Sequence, residues 1–163
     1  MPYLSPLMNA DLTMLSLKKE LHRQCLDYAE KRIEAAQLAI NEAQKASNDD
    51  TKSSAGDKYE TGREMMQQET NRNLAQLTEG NKLKIALNQI STNIINETAD
   101  TGSLVFTDNG NFYLAVSAGI LTVNDERWFA VSPASPVGLQ LKGLKGGDTF
   151  NLNNKIYLVN KVF

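Results

Sequence analysis

A single cysteine, Cys25, and a single histidine, His22, occur in the 163 residues. One cysteine leaves no intrachain disulfide and no Cys₄ or Cys₃His zinc site, so any metal chemistry falls to oxygen ligands. Charge of one sign is also missing. Lys plus Arg number 17 against 19 for Asp plus Glu, a net charge of −2, which argues against a nucleic-acid coat protein or a polybasic membrane binder. No apolar run approaches the roughly 18 residues of a membrane span, and residues 1–15 lack the basic start and apolar stretch of a secretory leader. The expectation is a soluble, cytoplasmic protein of a reducing compartment.

Aromatic residues are scarce in the first hundred positions, where only Tyr3, Tyr28 and Tyr59 occur; the other eight lie beyond residue 100. The first part is instead rich in Ala, Gln, Glu, Lys and Leu, and its only prolines are Pro2 and Pro6, so nothing there breaks a long helix. Leu26, Ala29, Ile33, Ala36, Ile40 and Ala43 recur at alternating steps of three and four, the spacing of a helix–helix seam. With Ser16 as N-cap, this predicts a helix to about Ser47. A second series, Met66, Leu74, Leu77, Leu83, Leu87, Ile90 and Ile94, is interrupted by Gly62 and Gly80, each costing about 1 kcal/mol against Ala. Residues 44–58 hold nothing apolar larger than Ala and are expected to form an exposed turn. The predicted fold class is therefore α+β: a long antiparallel coiled-coil hairpin over 16–98 with its tip near 47–60, after an unassigned extension at 1–15, and a small β domain over 103–163.

That last part alternates like strands: Leu104–Thr107, Asn111–Ser117, Ile120–Val123 and Trp128–Ser132 read as a four-strand antiparallel meander, with Asn109-Gly110 and Asn124-Asp125 as turns. Ser135 and Pro136 open a short helix as cap and first residue, and Gly143 closes it. Two further strands, near Thr149–Leu152 and Ile156–Val162, flank Asn153-Asn154.

At the expected tip, Asp57 and Glu60 stand one helical turn apart, with Asp49 and Asp50 across the turn. Asp57 and Glu60 on one face could share a hard cation such as Mg²⁺, which takes one or two carboxylates and keeps its waters. Two carboxylates alone hold it weakly, so such a site needs ligands from another macromolecule. The same spacing also suits helix capping and the helix dipole. Asn caps as well as Asp without the charge, which separates the two readings. His22 and Cys25 share a helix face; a Cys–His nucleophile pair is conceivable but lacks any oxyanion-stabilising signal, and a helix seam explains both. Gly138 and Gly143 have phosphate-loop spacing, but Leu144-Lys145-Gly146 comes next, where Lys and then Ser or Thr are required. Arg23, Lys82 and Lys84 are expected near one another at the hairpin base, as a solvated face or as an RNA or polymerase contact.

This pattern resembles the bacterial Gre transcript-cleavage factors in two places. Gly56-Asp57-Lys58-Tyr59-Glu60 is similar to the family's Gly-Asp-x-x-Glu signature, and Arg63-Glu64 with Gln67-Gln68 loosely matches the family's Arg-Glu-Gln-Gln beyond it. Ser135-Pro136-Val137-Gly138, then Leu141, Gly143 and Gly147-Asp148, is similar to its Ser-Pro-hydrophobic-small helix and Gly-Asp turn. The resemblance implies an FKBP-like C-terminal domain that docks on RNA polymerase at its secondary channel through Ser135, Pro136, Val137 and Gly138, and a free protein that is monomeric. It further implies that Asp57 and Glu60 reach the polymerase active site, beside the nascent RNA 3′ end, and help hold a second Mg²⁺ for cleavage of backtracked RNA. The chain would then stimulate the polymerase's own centre and not be an enzyme itself. Thr61-Gly62-Arg63-Glu64 departs from the family's Asn-Ala-Glu-Tyr, and some Gre-like paralogues occupy the channel and inhibit. A coiled-coil adaptor or chaperone is a further alternative. Prolyl isomerisation is disfavoured by the small C-terminal part, and zinc-finger coiled-coil regulators of the same channel are excluded by the single cysteine.

Overall fold

The structure, a computed structural model, describes the backbone of residues 5–50 and 57–163, and the side chains of these apart from 47, 49–50 and 57–60. In chain order it contains α1 (Pro6–Asp50), α2 (Asp57–Asn88), β1 (Leu104–Thr107), β2 (Gly110–Leu114), β3 (Gly119–Val123), β4 (Glu126–Val131), α3 (Pro136–Leu141), β5 (Thr149–Leu152) and β6 (Lys155–Val162). The class is α+β. The chain divides into two compact units, Met1–Asp27 with Ile85–Phe163, and Tyr28–Lys84.

α1 begins ten residues before the predicted Ser16. Ser5 starts it: its hydroxyl accepts from the Met8 amide at 3.3 Å and its carbonyl from the Asn9 amide at 3.0 Å, and Pro6 occupies the first helical position, where no amide proton is needed. Apolar residues of this added stretch, Leu7, Met8 and Leu12, stay at least half exposed. Local capping, not a buried stripe, therefore sets where the helix begins.

Within the second unit α1 and α2 lie side by side in opposite directions. Ile33 meets Gly80, Arg32 bonds Gln76 at 2.8 Å and Glu30 faces Lys84 at 3.7 Å, while Ala43 and Gln44 share a groove with Arg63, Met66 and Gln67. Of the predicted α1 seam, Ala29, Ala36 and Ile40 are buried and Ile33 and Ala43 partly so, while the half-buried Leu26 belongs to the first unit. The α2 series needs correction. Leu74 is 46% exposed, and the half-buried position beside it is Asn73, whose side-chain amide nitrogen has no partner among the described residues. The inner face runs through Met66, Thr70, Asn73, Leu77 and Gly80. A polar seam residue of this kind costs stability and pins register. α2 also stops at Asn88, short of Ile90 and Ile94; Gln89 and Ile90 donate to the Ala86 and Leu87 carbonyls in a tightened last turn. Gly102 lies in the turn before β1 with φ +92°, and its amide donates to the Leu114 carbonyl at 2.6 Å.

The six strands form one mixed sheet in the order β3-β4-β2-β1-β6-β5, not the predicted antiparallel meander. β2 and β4 are parallel neighbours, Asn111 opposite Trp128 and Leu114 opposite Val131. A parallel pair needs a crossover connection. Here residues 115–125 carry the chain out through β3, which pairs only with β4, and back. The Ala115 and Ala118 amides bond the Val131 and Ala130 carbonyls along the way. The Asn124-Asp125 and Asn153-Asn154 turns hold positive φ at both residues, as expected of two-residue hairpin loops. The β1–β2 loop is Asp108-Asn109, one residue earlier than predicted, because Thr107 pairs with Gly110.

Alternation along β2 and β4 gives each sheet face its own cover. Phe112, Phe129 and Val131 face α3 in a core with Val105, Leu141, Phe150, Val159 and Val162. On the opposite face Tyr113 and Trp128 are fully buried, and the early part of α1 lies over this side through His22 against Tyr113 and Gln24 against the Thr122 carbonyl. At α3 the Ser135 hydroxyl accepts from the Gly138 amide at 3.1 Å, and a Cβ on Gly138 would collide with the Ser132 carbonyl.

The two helical glycines of α2 should respond oppositely to Ala. Nothing lies within 4 Å of a Cβ added at Gly62, so Gly62→Ala should gain about 1 kcal/mol of helix propensity. At Gly80 the added atom would sit 2.8 Å from Ile33 Cγ1, and overpacking of about 1–3 kcal/mol outweighs that gain. Thermal unfolding should give a raised midpoint for Gly62→Ala and a lowered one for Gly80→Ala. A raised midpoint for both would remove the close approach of the helices at Ile33.

Candidate functional site

Asp57 is the first residue of α2 and Glu60 lies in its first turn, so Asp57-x-x-Glu60 stands at the start of a helix; Gly56 lies outside the described residues. The side chains of Asp57, Glu60, Asp49 and Asp50 lie outside the described residues. The helix continues through Gly62 without a break to Asn88. Just beyond the pair, Arg63, Met66, Gln67 and Thr70 of α2 line a groove of about 280 Å³ with Ala43 and Gln44 of α1. Its lining is mainly polar amide and guanidinium. Among the described residues no three His, Cys, Asp or Glu side chains converge as a metal site.

Each expected basic contact residue already has an acidic neighbour. Arg23 reaches Glu20 at 2.7 Å and Asp27 at 3.0 Å, one helical turn to either side. Lys82 pairs with Glu79 at 3.2 Å and Lys84 with Glu30 at 3.7 Å. The hydrogen bond from Arg23 holds the Glu20 carboxyl down to about 2, and Glu20 in turn raises the Arg23 guanidinium further. All of these groups are solvent-exposed, and pairs formed in water contribute little to stability. Arg23 falls in the first unit, Lys82 and Lys84 in the second.

The Cys–His arrangement is not a nucleophile. Cys25 is fully buried and its thiol is pushed up to about 12 by desolvation, which suppresses the reactive thiolate. His22 turns Nδ1 to the Tyr113 hydroxyl, 2.8 Å away. The loop after α3 is no phosphate cradle either, because its amides are spoken for. Gly143 donates to the Ala99 carbonyl, Leu144 to that of Leu141, and Lys145 to the Asp148 carboxylate at 2.9 Å. Phosphate loops need such amides free, and a carboxylate there repels an anion.

In α3, Ser135 caps, Pro136 takes the first helical position and is exposed, Val137 is half-buried and Gly138 is buried. Val137 also lines an apolar cavity of about 270 Å³ with Phe112, Phe129, Val131, Leu152 and Tyr157, Asn109 being its one strongly polar residue. That is slightly below the range of typical small-molecule pockets. Alternation along the strands alone does not reveal that these residues leave a gap.

Lys18 is a residue that the sequence does not single out. It is completely buried, donates from Nζ to the Ile94 carbonyl at 2.7 Å and stands 5.1 Å over the Phe163 ring. Burial lowers its ammonium to about 8. In sequence it reads as a surface lysine beside Lys19; only its four-residue spacing from His22 and its seven-residue spacing from Cys25 place it on the buried face. Among the described residues, no helix is long and apolar enough to cross a membrane. No family model matches the chain, and no curated protein and no solved structure is significantly similar to it.

The Lys18 geometry sets a pH signature. Because the folded-state value of about 8 lies below the ordinary 10.5, the unfolded chain binds the extra proton between these values and stability rises with pH across that window. Lys18→Met lacks this group, so the stability difference between wild type and variant, from denaturant unfolding at pH 7.5, 9 and 10.5, should shift by about 3 kcal/mol in favour of wild type. A pH-independent difference would mean that the ammonium is solvated in the folded protein.

Proposed function

We propose that the chain is a Gre-like elongation factor that binds RNA polymerase through its secondary channel and stimulates the polymerase's cleavage of backtracked RNA. The observation that supports this reading is a joint one: Asp57 opens α2 with Glu60 in its first turn, and Ser135 caps α3, which Pro136 opens, in the chain order of the two motifs that carry the resemblance. On this reading α1 and α2 form a coiled-coil hairpin and residues 103–163 an FKBP-like domain. α3, with Pro136 exposed, belongs to the surface that meets the polymerase, with Arg23, Lys82 and Lys84 as supplementary contacts.

Asp57 and Glu60 then do what a free helix end cannot do alone. Each brings one formal negative charge and acceptor-only oxygens to a metal that the polymerase already ligates in part. Asp57 and Glu60 would help hold such a second Mg²⁺, which would supply activation of water for a two-metal displacement, and the reacting centre would stay the polymerase's. Thr61-Gly62-Arg63-Glu64 after the pair favours a second reading, a paralogue that occupies the channel and blocks cleavage, since it lacks the family's aromatic there.

The test is a stalled, backtracked polymerase complex with wild type, Asp57→Asn and Glu60→Gln. Wild type should shorten the RNA from its 3′ end, and each variant should lose stimulation by at least tenfold while competing for the polymerase as before and keeping its helical content. Equal stimulation by Asp57→Asn would reduce the acidic pair to capping. Binding without cleavage by wild type would establish the inhibitory reading. Failure to bind polymerase at all would leave the adaptor or chaperone class.

A further inference from the structure

We propose that the cavity beside Val137 is a binding site for a small uncharged molecule built on one ring that carries a hydroxyl or N–H, of which phenol is the simplest. The site lies wholly within the first unit and is independent of the function proposed above.

Three aromatic rings wall it. Phe112 and Phe129 are tilted by 33° with centroids 5.6 Å apart, and Tyr157 stands 6.3 Å from Phe112 at 64°. Phe150 stacks on Tyr157 at 4.8 Å and Phe112 is only 5% exposed, so packed core backs these walls. Val131, Val137 and Leu152 complete the apolar lining, with Asn109 among them. A well-packed interior leaves few gaps larger than a water molecule. This one measures about 270 Å³, about nine times a water molecule's share of the liquid. Apart from Asn109 and the Tyr157 hydroxyl, no lining side chain offers a hydrogen bond, whereas a held water needs two to four polar partners. Smaller cavities of such composition stay dry and take up single aromatic rings.

Size and charge narrow the occupant. One ring with a short substituent suits this volume, and two linked rings exceed it. None of the lining residues is charged. Lys155 stands 5.8 Å over the Tyr157 ring without belonging to the lining, and Asp108 accepts from the Leu158 amide at 2.8 Å. A charged ligand would therefore lose its hydration with no counter-charge in the cavity. The specific contact falls to Asn109. Its backbone amide is taken by the Thr107 hydroxyl at 3.1 Å, but its carboxamide makes only a long contact of 3.5 Å, to Asp108. That amide keeps both a donor and an acceptor for a hydroxyl or N–H on the ligand.

A partner protein would need wider apolar ground. Stable interfaces bury about 1,000 Å² or more, and the exposed apolar residues next in sequence lead away from the cavity. Ile156 and Leu158 flank Tyr157 along β6 and so point to the other face of the strand. Leu139, 66% exposed, lies on the outer side of α3, whose buried residues are Gly138 and Leu141. Apolar lining confined to a concave site, with one convergent amide, is the pattern of a small-molecule pocket.

The test is an NMR titration of the ¹³C-labelled full-length protein at pH 7 with phenol, benzoate and biphenyl-4-ol. Phenol should move the methyl and ring signals of Val131, Val137, Leu152, Phe112 and Phe129 saturably, with a midpoint of about 1 mM or below. Benzoate and biphenyl-4-ol should bind there at least tenfold more weakly, and Leu152→Phe, which fills the cavity, should weaken phenol at least tenfold. No saturable movement by about 10 mM phenol, movement centred elsewhere, or equal binding of benzoate or biphenyl-4-ol would overturn the site. So would unchanged phenol binding by folded Leu152→Phe. Shifts of the same signals with protein concentration alone would give the cavity to a second copy and refute a small ligand. Should Leu152→Phe fail to fold, the three ligands on wild type decide by themselves.

Discussion

A long helix in water is sustained by what covers its apolar stripe, and α1 meets that constraint with two different covers along its 45 residues. From Ala29 to Ile40 the buried positions are those facing α2, while Lys18, Leu21 and Cys25 are buried in the unit that contains the sheet. These two sets continue one another at steps of three and four. The helix therefore needs no change in its own pattern to serve both units, and no proline or glycine interrupts it. Its first turns, by contrast, have only a cap. Leu7 is 80% exposed, and the Ser5-Pro6 start supplies what burial does not.

The sheet obeys the complementary constraint. A strand buried on both faces has no polar side, and β2 reads that way: Phe112, Tyr113 and Leu114 are consecutive buried residues. Such a strand belongs in the interior of a sheet and tolerates a parallel neighbour. Placing β4 beside β2 gives both strands that environment. β3, with Gly119 and Ile120 exposed, is displaced to the edge. The two faces then hold different chemistry. The α3 side is an aromatic and aliphatic core in which Phe150 stacks on Tyr157 at 4.8 Å. The α1 side carries polar groups that must be satisfied individually: Tyr113 by His22, Lys18 by a carbonyl. Trp128 packs edge to face on Phe106 at 5.0 Å, but its buried indole N–H has no partner among the described residues.

This division explains what could be read from the residues. Features set within a few positions were legible: the α1 seam from Ala29 on, β1 and the neighbourhood of β5, the Asn-Asp and Asn-Asn turns whose side chains tolerate positive φ, and the Ser135-Pro136 cap. Features set by distant partners were not. The pairing of β2 with β4 depends on which strand is covered twice, and alternation along one strand carries no record of its neighbour. Leu74 and Asn73 are adjacent, so a hydrophobic count prefers the leucine although the helix turns the asparagine inward. The start at Ser5-Pro6 is the exception, a local signal identical in kind to Ser135-Pro136, obscured because the residues after it bury little. Of the candidate site, the opening of α2 at Asp57 and of α3 at Pro136 followed from sequence. The burial of Lys18 and the cavity beside Val137 required the packed sheet.

The ion pairs bear on the functional reading less than their number suggests. Arg23, Lys82 and Lys84 are each held by carboxylates one turn away or across the helix pair, which at first favours a solvated face over a contact with a polyanion. Yet every one of these pairs is exposed and formed in high dielectric, where the Coulomb energy is small and a flexible side chain can leave at little cost. A partner presenting phosphates or clustered carboxylates would compete with them readily, and salt would weaken both arrangements together. The buried cation behaves differently. Lys18 cannot exchange its carbonyl for a partner's anion without opening the packing between α1 and the chain around Ile94 and Phe163, so its role is confined to the fold. Burial, more than pairing, thus separates the basic residues that can serve recognition from the one that serves structure.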